Sequence, residues 1–405
     1  MCSTAPIMSD KPQVVIVGAG PAGMMLAYQL ATHGVAVRVL ERHPDFEREF
    51  RGELIGPSVL PVLEQLGLMS ILVERGLARA GVERRMFVGT NRRVTLPSGN
   101  ELGALVSQPG LLTLLHELCS RHPGYRLDFR TTASRVIRDG DRVVALEARR
   151  EGKEERIEGD LFVVCNGRNS KLRNDIGIPL ELDEKPGDTL WLRFDLSEAE
   201  ELLPSAVDVH MFGNGVVVVL FATTRSRLQI AYSAPGDVGA LRKDASALGA
   251  ALLPCLKEPL RATVAAKLDE ATESQILRVS IDRLQRWHVP GLLLLGDAAH
   301  TMGPAAAQGL NLAIRDSIVA ANHFLDTIAA GKQIDTAVLA AIETERRPEI
   351  EAAQALQLRA YRMVHKPLFV EHLMFTMLGA VMRFKSFAPP PTPTVEPRHA
   401  VRATA

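Results

Sequence analysis

Gly18, Gly20 and Gly23 follow the β-branched run VVIV at residues 14–17, with Ala22 among them, and the acid Glu41 closes the next apolar run, followed by Arg42. The spacing G-x-G-x-x-G suits a particular chemistry. The first glycine permits a tight turn, the second lets the main chain approach a pyrophosphate, and the third lets a helix pack close to a strand. A carboxylate at Glu41 accepts both hydroxyls of an adenosine ribose and repels a 2′-phosphate. These residues imply a dinucleotide ligand, NAD or FAD. Far along the chain, residues 292–300 read LLLLGDAAH, where Gly296 and Asp297 end another apolar run beside Ala298 and Ala299. A carboxylate there holds a polyol hydroxyl while the small neighbours admit a ligand. Pro304 stiffens the loop that follows. Gly309, Leu310 and Asn311 then open a helix whose first N–H groups point back into the loop and stabilise an anion.

The elements that must position these residues are legible from periodicity. Met24, Leu26, Ala27 and Leu30 have helical spacing, Gly34 ends that helix, and VAVRVL is a second strand. Leu310, Ile314, Ile318 and Ala321 mark the helix after the second loop. Between them, DTLWLRFDL, VDVHMF, GVVVVLFAT and RLQIAYSA alternate as strands of an antiparallel sheet. FGNG at 212–215 lacks a third glycine and reads as a hairpin turn. The expected fold is α/β: a Rossmann-like dinucleotide-binding domain of the glutathione-reductase type, with an inserted, mostly antiparallel substrate domain and C-terminal helices. The expected division is 12–75, 104–177 and 286–345 for the first domain, and 76–103 with 178–285 for the second. Residues 346–387 form the C-terminal helices, and 388–405, rich in proline, a disordered tail.

Composition narrows the function classes. Lys plus Arg equals Asp plus Glu at 47 each, so no overall field favours nucleic acid or anionic lipid. The four cysteines are scattered, which fits reduced thiols in the cytoplasm and neither disulfides nor zinc. No metal site is expected; the HEL…H stretch at 116–122 has the wrong spacing for a zinc pair. The start of the chain does not read as a signal peptide, and no apolar run reaches the ~18 residues of a spanning helix.

Taken together, the glycine fingerprint with Glu41 and the GDAAH…P…GLN stretch resemble the class A, single-component FAD-dependent aromatic monooxygenases of the para-hydroxybenzoate hydroxylase type. The resemblance implies that both stretches serve FAD, one its AMP half and the other its ribityl and isoalloxazine half. It extends to Arg51 near the pyrophosphate and to Gln108 over the cofactor. It also covers GDLFVVCNGRNSKLR at 159–173, where Gly167, Ser170 and Arg173 keep the family's pattern but Asn166 replaces an Asp. The loop Ala305-Ala306-Ala307 stands where the family often has a glycine.

The implied activity is reduction of FAD by NADH or NADPH, reaction with O2, and hydroxylation or epoxidation by a C4a-hydroperoxyflavin. The expected substrate is a small, electron-rich aromatic or quinone-like molecule, with a lipophilic natural product as one form. Two alternatives are a reductase of polyprenyl double bonds on the same scaffold and a non-catalytic flavin-binding partner, which uncharged Asn166 favours. His210, Tyr232 and Arg193 read as sheet surface or packing residues, and no catalytic acid or base is assigned. The Met-rich, apolar segment 369–384 fits burial on the FAD domain, a dimer contact, or a patch peripheral to the membrane.

Overall fold

VVIV is buried on both faces, the signature of a central parallel strand. In the computed structural model, which describes residues 13–47, 53–94, 101–196, 199–203, 206–224, 227–268, 273–304, 307–370, 373 and 394–399, it is β1 (Val14–Val17). Around it lie β2 (Val37–Leu40), β7 (Tyr125–Asp128), β11 (Leu161–Val164), β17 (His288–Val289) and β18 (Leu292–Leu294), in the order β17-β18-β11-β1-β2-β7. All pairings are parallel except β17 with β18. Helix α1 (Pro21–Thr32) follows β1 directly, with Pro21 at its first turn, where the missing N–H costs nothing. It packs under the sheet with α2 (Gln108–Cys119) and α3 (Gln308–Ala329), burying Met24, Leu30, Leu112, Ile314 and Phe324 in one core.

A three-stranded antiparallel ribbon, β8 (Thr131–Asp139), β9 (Arg142–Arg150) and β10 (Lys153–Glu158), covers the opposite side of the parallel sheet. The remaining strands form a second large sheet in the order β16-β12-β15-β14-β13-β4-β6-β3, with β5 beside β4. Their bounds are β3 (Leu54–Ile55), β4 (Ala78–Val88), β5 (Arg92–Val94), β6 (Glu101–Val106), β12 (Leu180–Asp195), β13 (Ala206–Met211), β14 (Val217–Ala222), β15 (Arg227–Ser233) and β16 (Glu273–Leu284). Residues 212–216 turn β13 into antiparallel β14, with Gly213, Asn214 and Gly215 all at positive φ.

Alternation gives this sheet two different faces. Leu190, Leu192, Val218, Leu220, Leu228 and Ile230 point to one side and pack on the short helices between residues 238 and 266. Trp191, Val207, Val209, Val219 and Phe221 point to the other, where they meet Leu54 of the edge strand β3 and Ala307, just before α3. The second face closes over the cavity described below.

The chain ends differently from expectation. One helix, α4 (Thr336–Val364), runs unbroken through Pro348 and carries most of the C-terminal packing. The apolar segment 369–384 lies almost entirely outside the described residues; of its described members, Phe369 and Leu373 are exposed. The tail is not disordered throughout, a correction for 394–399. Val395 is buried in the core of the dinucleotide domain, and Asn322 of α3 grips the main chain at Glu396 and Arg398. Gln65 donates to the carbonyl of Pro397, and Asp326 pairs with Arg398 and His399. Composition missed this because proline-rich flanks say nothing about one valine that finds a cavity.

Removing residues 394–405 should therefore destabilise the protein by about 2 kcal/mol, from one buried valine and its attendant hydrogen bonds. A lowered urea midpoint would show it; an unchanged midpoint would mean that the tail contributes nothing.

Candidate functional site

A cavity of 340 Å³ runs from the carboxyl ends of β1, β2 and β11 to the start of α3. At one end β1 turns into α1 so tightly that a Cβ on Gly18 would lie 2.6 Å from the Cys165 carbonyl oxygen, and one on Gly23 only 2.0 Å from the Gly18 oxygen. Both positions must be glycine. Gly20, Ala22, Glu41 and Arg42 line this end, and the N-terminus of α1 opens onto it. Gly23 does not line the cavity; it lies beneath the turn and sets how closely α1 approaches β1. Glu41 is buried, and its carboxylate accepts from the N–H of Ala19 at 2.8 Å and of His43 at 3.0 Å, which locks the turn to the end of β2.

At the other end, Gly296, Asp297, Pro304, Gly309 and Leu310 line the cavity, and the first turn of α3 faces it. Gln108, Asn166 and Gly167 lie between the two ends. Arg168, which the motif reading passed over, reaches across to Asp297 at 3.4 Å and donates to the Arg278 carbonyl. Asn311 stands apart from the cavity. Its amide accepts from Gly56 N–H and donates to the carbonyls of Leu54 and Ala307, so its side chain is a strut between β3 and α3 rather than a ligand. Arg51 lies outside the described residues.

Beneath the Gly296 turn, Asp316 of α3 is fully buried. It accepts from Gly296 N–H at 3.1 Å, His300 Nε2 at 2.8 Å and Arg346 Nε at 2.8 Å. Burial opposes its charge, but His300 and Arg346 outweigh that and hold its carboxyl at about 2. Arg346 also pairs with Glu349, which binds Arg315, and Arg315 reaches the Ser58 carbonyl.

The substrate sheet supplies the cavity's remaining wall through Trp191 and Leu277. Trp191 donates to Gln229 at 2.6 Å and meets Phe221 edge-on. His210 and Tyr232 sit on the sheet's other face. His210 is stacked 4.5 Å from Phe87 and bonded to the Gly89 carbonyl, and Tyr232 belongs to the helix-covered core. Arg193 shares the face of Trp191 by alternation and does not line the cavity.

Comparison with known proteins decides the class. Residues 11–356 match the family described as FAD binding domain. The chain belongs to that family. It is 30% identical over 370 residues to 6-methylpretetramide 4-monooxygenase of Streptomyces rimosus, covering 87% of this chain and 84% of the relative. It is 27% identical over 336 residues to 6-hydroxynicotinate 3-monooxygenase of Bordetella bronchiseptica, covering 79% of this chain and 84% of that one. In structure it resembles Pseudomonas aeruginosa PqsL, solved with 2-aminobenzoylacetate, at a TM-score of 0.73 and 22% identity over 85% of this chain and 94% of PqsL. The likeness to para-hydroxybenzoate hydroxylase-type flavoprotein monooxygenases stands, as does the expected two-part fold. FAD is the cofactor of this chain.

The cavity fits FAD. Asn166 lines the cavity with its Oδ1 buried and without a hydrogen-bond partner, a group that a ligand donor would satisfy. The two helix N-termini suit anionic portions, and the two carboxylates suit hydroxyls. Among the described residues, no cluster of three or more His, Cys, Asp or Glu is placed for a metal ion, and no helix is long and apolar enough to cross a membrane.

Asp316→Asn should cost about 3–5 kcal/mol, because it leaves Arg346 and His300 buried with an uncharged partner. The carboxyl is depressed from its ordinary 3.8, so its contribution is present above that pH and lost as the pH falls towards about 2. Urea titrations across acid pH should show a shallower loss in the variant. A second expectation concerns Ala307, which caps α3 in the left-handed region at φ 50°. Ala307→Gly should stabilise the protein by about 1 kcal/mol, checked by the same denaturation.

Proposed function

We propose that this protein uses FAD, NADH or NADPH, and O2 to insert one oxygen atom into an electron-rich aromatic or quinone-like small molecule. The observation that carries the reading is the single cavity shared by a dinucleotide cradle and an apolar sheet face. FAD, when bound, supplies the electron transfer and oxygen chemistry. The chain's own residues bind and orient. The N–H groups at the start of α1 receive phosphate oxygens, Glu41 the ribose hydroxyls, and Asp297 a ribityl hydroxyl. The N–H groups of Gly309 and Leu310 would stabilise negative charge on the ring system, acting as fixed dipoles at the start of α3.

Trp191, Leu54 and Leu277 form the wall against which an aromatic substrate would lie, and Gln229 fixes the indole of Trp191. Aromatic surfaces of this kind favour offset or edge-on packing with a flat ring. The relatives named for 6-methylpretetramide and 6-hydroxynicotinate support substrates of that class. Among the described residues only one sheet carries the glycine turn and strand order of a dinucleotide site. That agrees with a nicotinamide nucleotide that visits, gives up its hydride and leaves. Overall, one molecule each of substrate, NAD(P)H, O2 and a proton yields oxygenated product, NAD(P)+ and water.

The test is turnover under ¹⁸O2, with 6-hydroxynicotinate and a panel of polycyclic phenols as probes. A product carrying one labelled oxygen, formed at the expense of NAD(P)H, is the expected result. A hydrogenated, unlabelled product would establish the reductase alternative instead. Bound FAD that no nicotinamide nucleotide reduces, with any probe present, would leave the flavin-binding-partner reading.

A further inference from the structure

Helix α4 reaches the cavity's edge without lining it. Gln357, buried on this helix, accepts from the N–H of Gly303 at 2.9 Å and donates to the carbonyl of the same residue at 3.1 Å. One turn earlier, buried Gln354 donates to the carbonyls of Thr301 and Asp282 and accepts from Arg283. Two amides three residues apart therefore hold the strand of chain that carries Met302, Gly303 and Pro304, all of which line the cavity. Tyr361 closes the gap behind it, since a Cβ on Gly303 would stand 2.8 Å from the Tyr361 hydroxyl oxygen.

Few side chains can replace Gln357. Binding both the N–H and the C=O of one residue needs a donor and an acceptor on one planar group, which a primary amide has and a carboxylate lacks. The same helix then runs on to the substrate sheet. The N–H groups of Asn214 and Gly215, in the turn between β13 and β14, donate to the carbonyls of Lys366 and Val364 at 2.9 and 2.7 Å. One element thus fixes both the loop below the cavity and the sheet above it.

We propose that Gln357 is a positioning residue for FAD: it sets the peptide at Gly303 so that residues 302–304 form the flavin-side wall. The proposal rests on FAD occupying the cavity described above, and it goes further by assigning a role to a residue that touches neither cofactor nor substrate.

The experiment measures the FAD dissociation constant of the full chain by flavin fluorescence, for the wild type, Gln357→Leu, Gln357→Glu and Asp297→Ala. Between about pH 5.5 and 8.5, a buried glutamate is expected to pass from neutral acid to carboxylate. The neutral acid keeps one donor and one acceptor, as the amide does; the carboxylate does not. Gln357→Glu should therefore bind FAD nearly as the wild type does at the acid end and about tenfold more weakly at the alkaline end. Gln357→Leu should be weak throughout. The titratable groups nearest this position are Tyr361, which shares Gly303 with Gln357, and, around Gln354 one turn earlier, Asp282 with its partner Arg173 and Arg283 with its partners Glu181 and Glu351. They are common to all the variants, so the wild-type and leucine profiles report their effect. A leucine variant that binds as the wild type does, while Asp297→Ala weakens binding, would overturn the proposal alone. So would a glutamate variant whose pH profile parallels the wild type. Undiminished binding in Asp297→Ala would remove the cavity reading, and the proposal with it.

Discussion

A fully buried carboxylate, Asp316, holds the cofactor end of this fold together. Charge in a protein interior is tolerated only when nearly every lone pair is used, because desolvation otherwise outweighs attraction. Here a peptide N–H and an imidazole from the loop 296–300 and a guanidinium from α4 converge on it. The consequence reaches Asp297. Its neighbour Gly296 is bonded to Asp316, so the cavity carboxylate stands on a turn that cannot shift without exposing the buried charge. Arg346, Glu349 and Arg315 extend the same constraint to the Ser58 carbonyl, beyond β3.

Much of this was legible in the sequence where the determinant is local. The turn after β1 needs glycine at fixed spacing, and the strand, turn and helix that use it are contiguous, so position in the chain nearly specifies position in space. The Gly296-Asp297 turn and the start of α3 are readable for the same reason. What sequence could not supply was the partner across the fold. Asn311 lies in a helix-opening motif, but its amide is committed to residues more than two hundred and fifty positions away, at Leu54 and Gly56. Arg168 was likewise overlooked beside Ser170 and Arg173. The motif gave it no role, and its approach to Asp297 appears only when β11 and β18 lie side by side.

The substrate sheet shows a different limit. Its strands were readable from alternation, and alternation also sorts their residues into two sets. It does not say which set faces the cofactor. His210 and Tyr232 fall in the set turned to the helices, while Trp191 and Arg193 fall in the other, and only the packing of Leu54 and Ala307 against Phe221 and Val207 distinguishes them. On that second face Arg84 is flanked by Val82 and Met86, and burial lowers its guanidinium pKa.

The two halves of the cavity divide the electrostatics between them. Helix N-termini favour anions, and carboxylates repel anions but accept from hydroxyls. α1 brings N–H groups where Glu41 stands to one side, and α3 brings them where Asp297 stands beside Arg168. A ligand matching that alternation needs hydroxyls, phosphates, more hydroxyls and then an electron-poor ring, in that order. FAD and NAD share that order of groups, so the alternation of charge selects a dinucleotide without choosing between the two. The choice between the two dinucleotides, open when only the glycine turn is considered, follows from the match of residues 11–356 to the FAD binding domain family. Two motifs widely separated in the chain are therefore one binding site because the charges of each make sense only with the other in place.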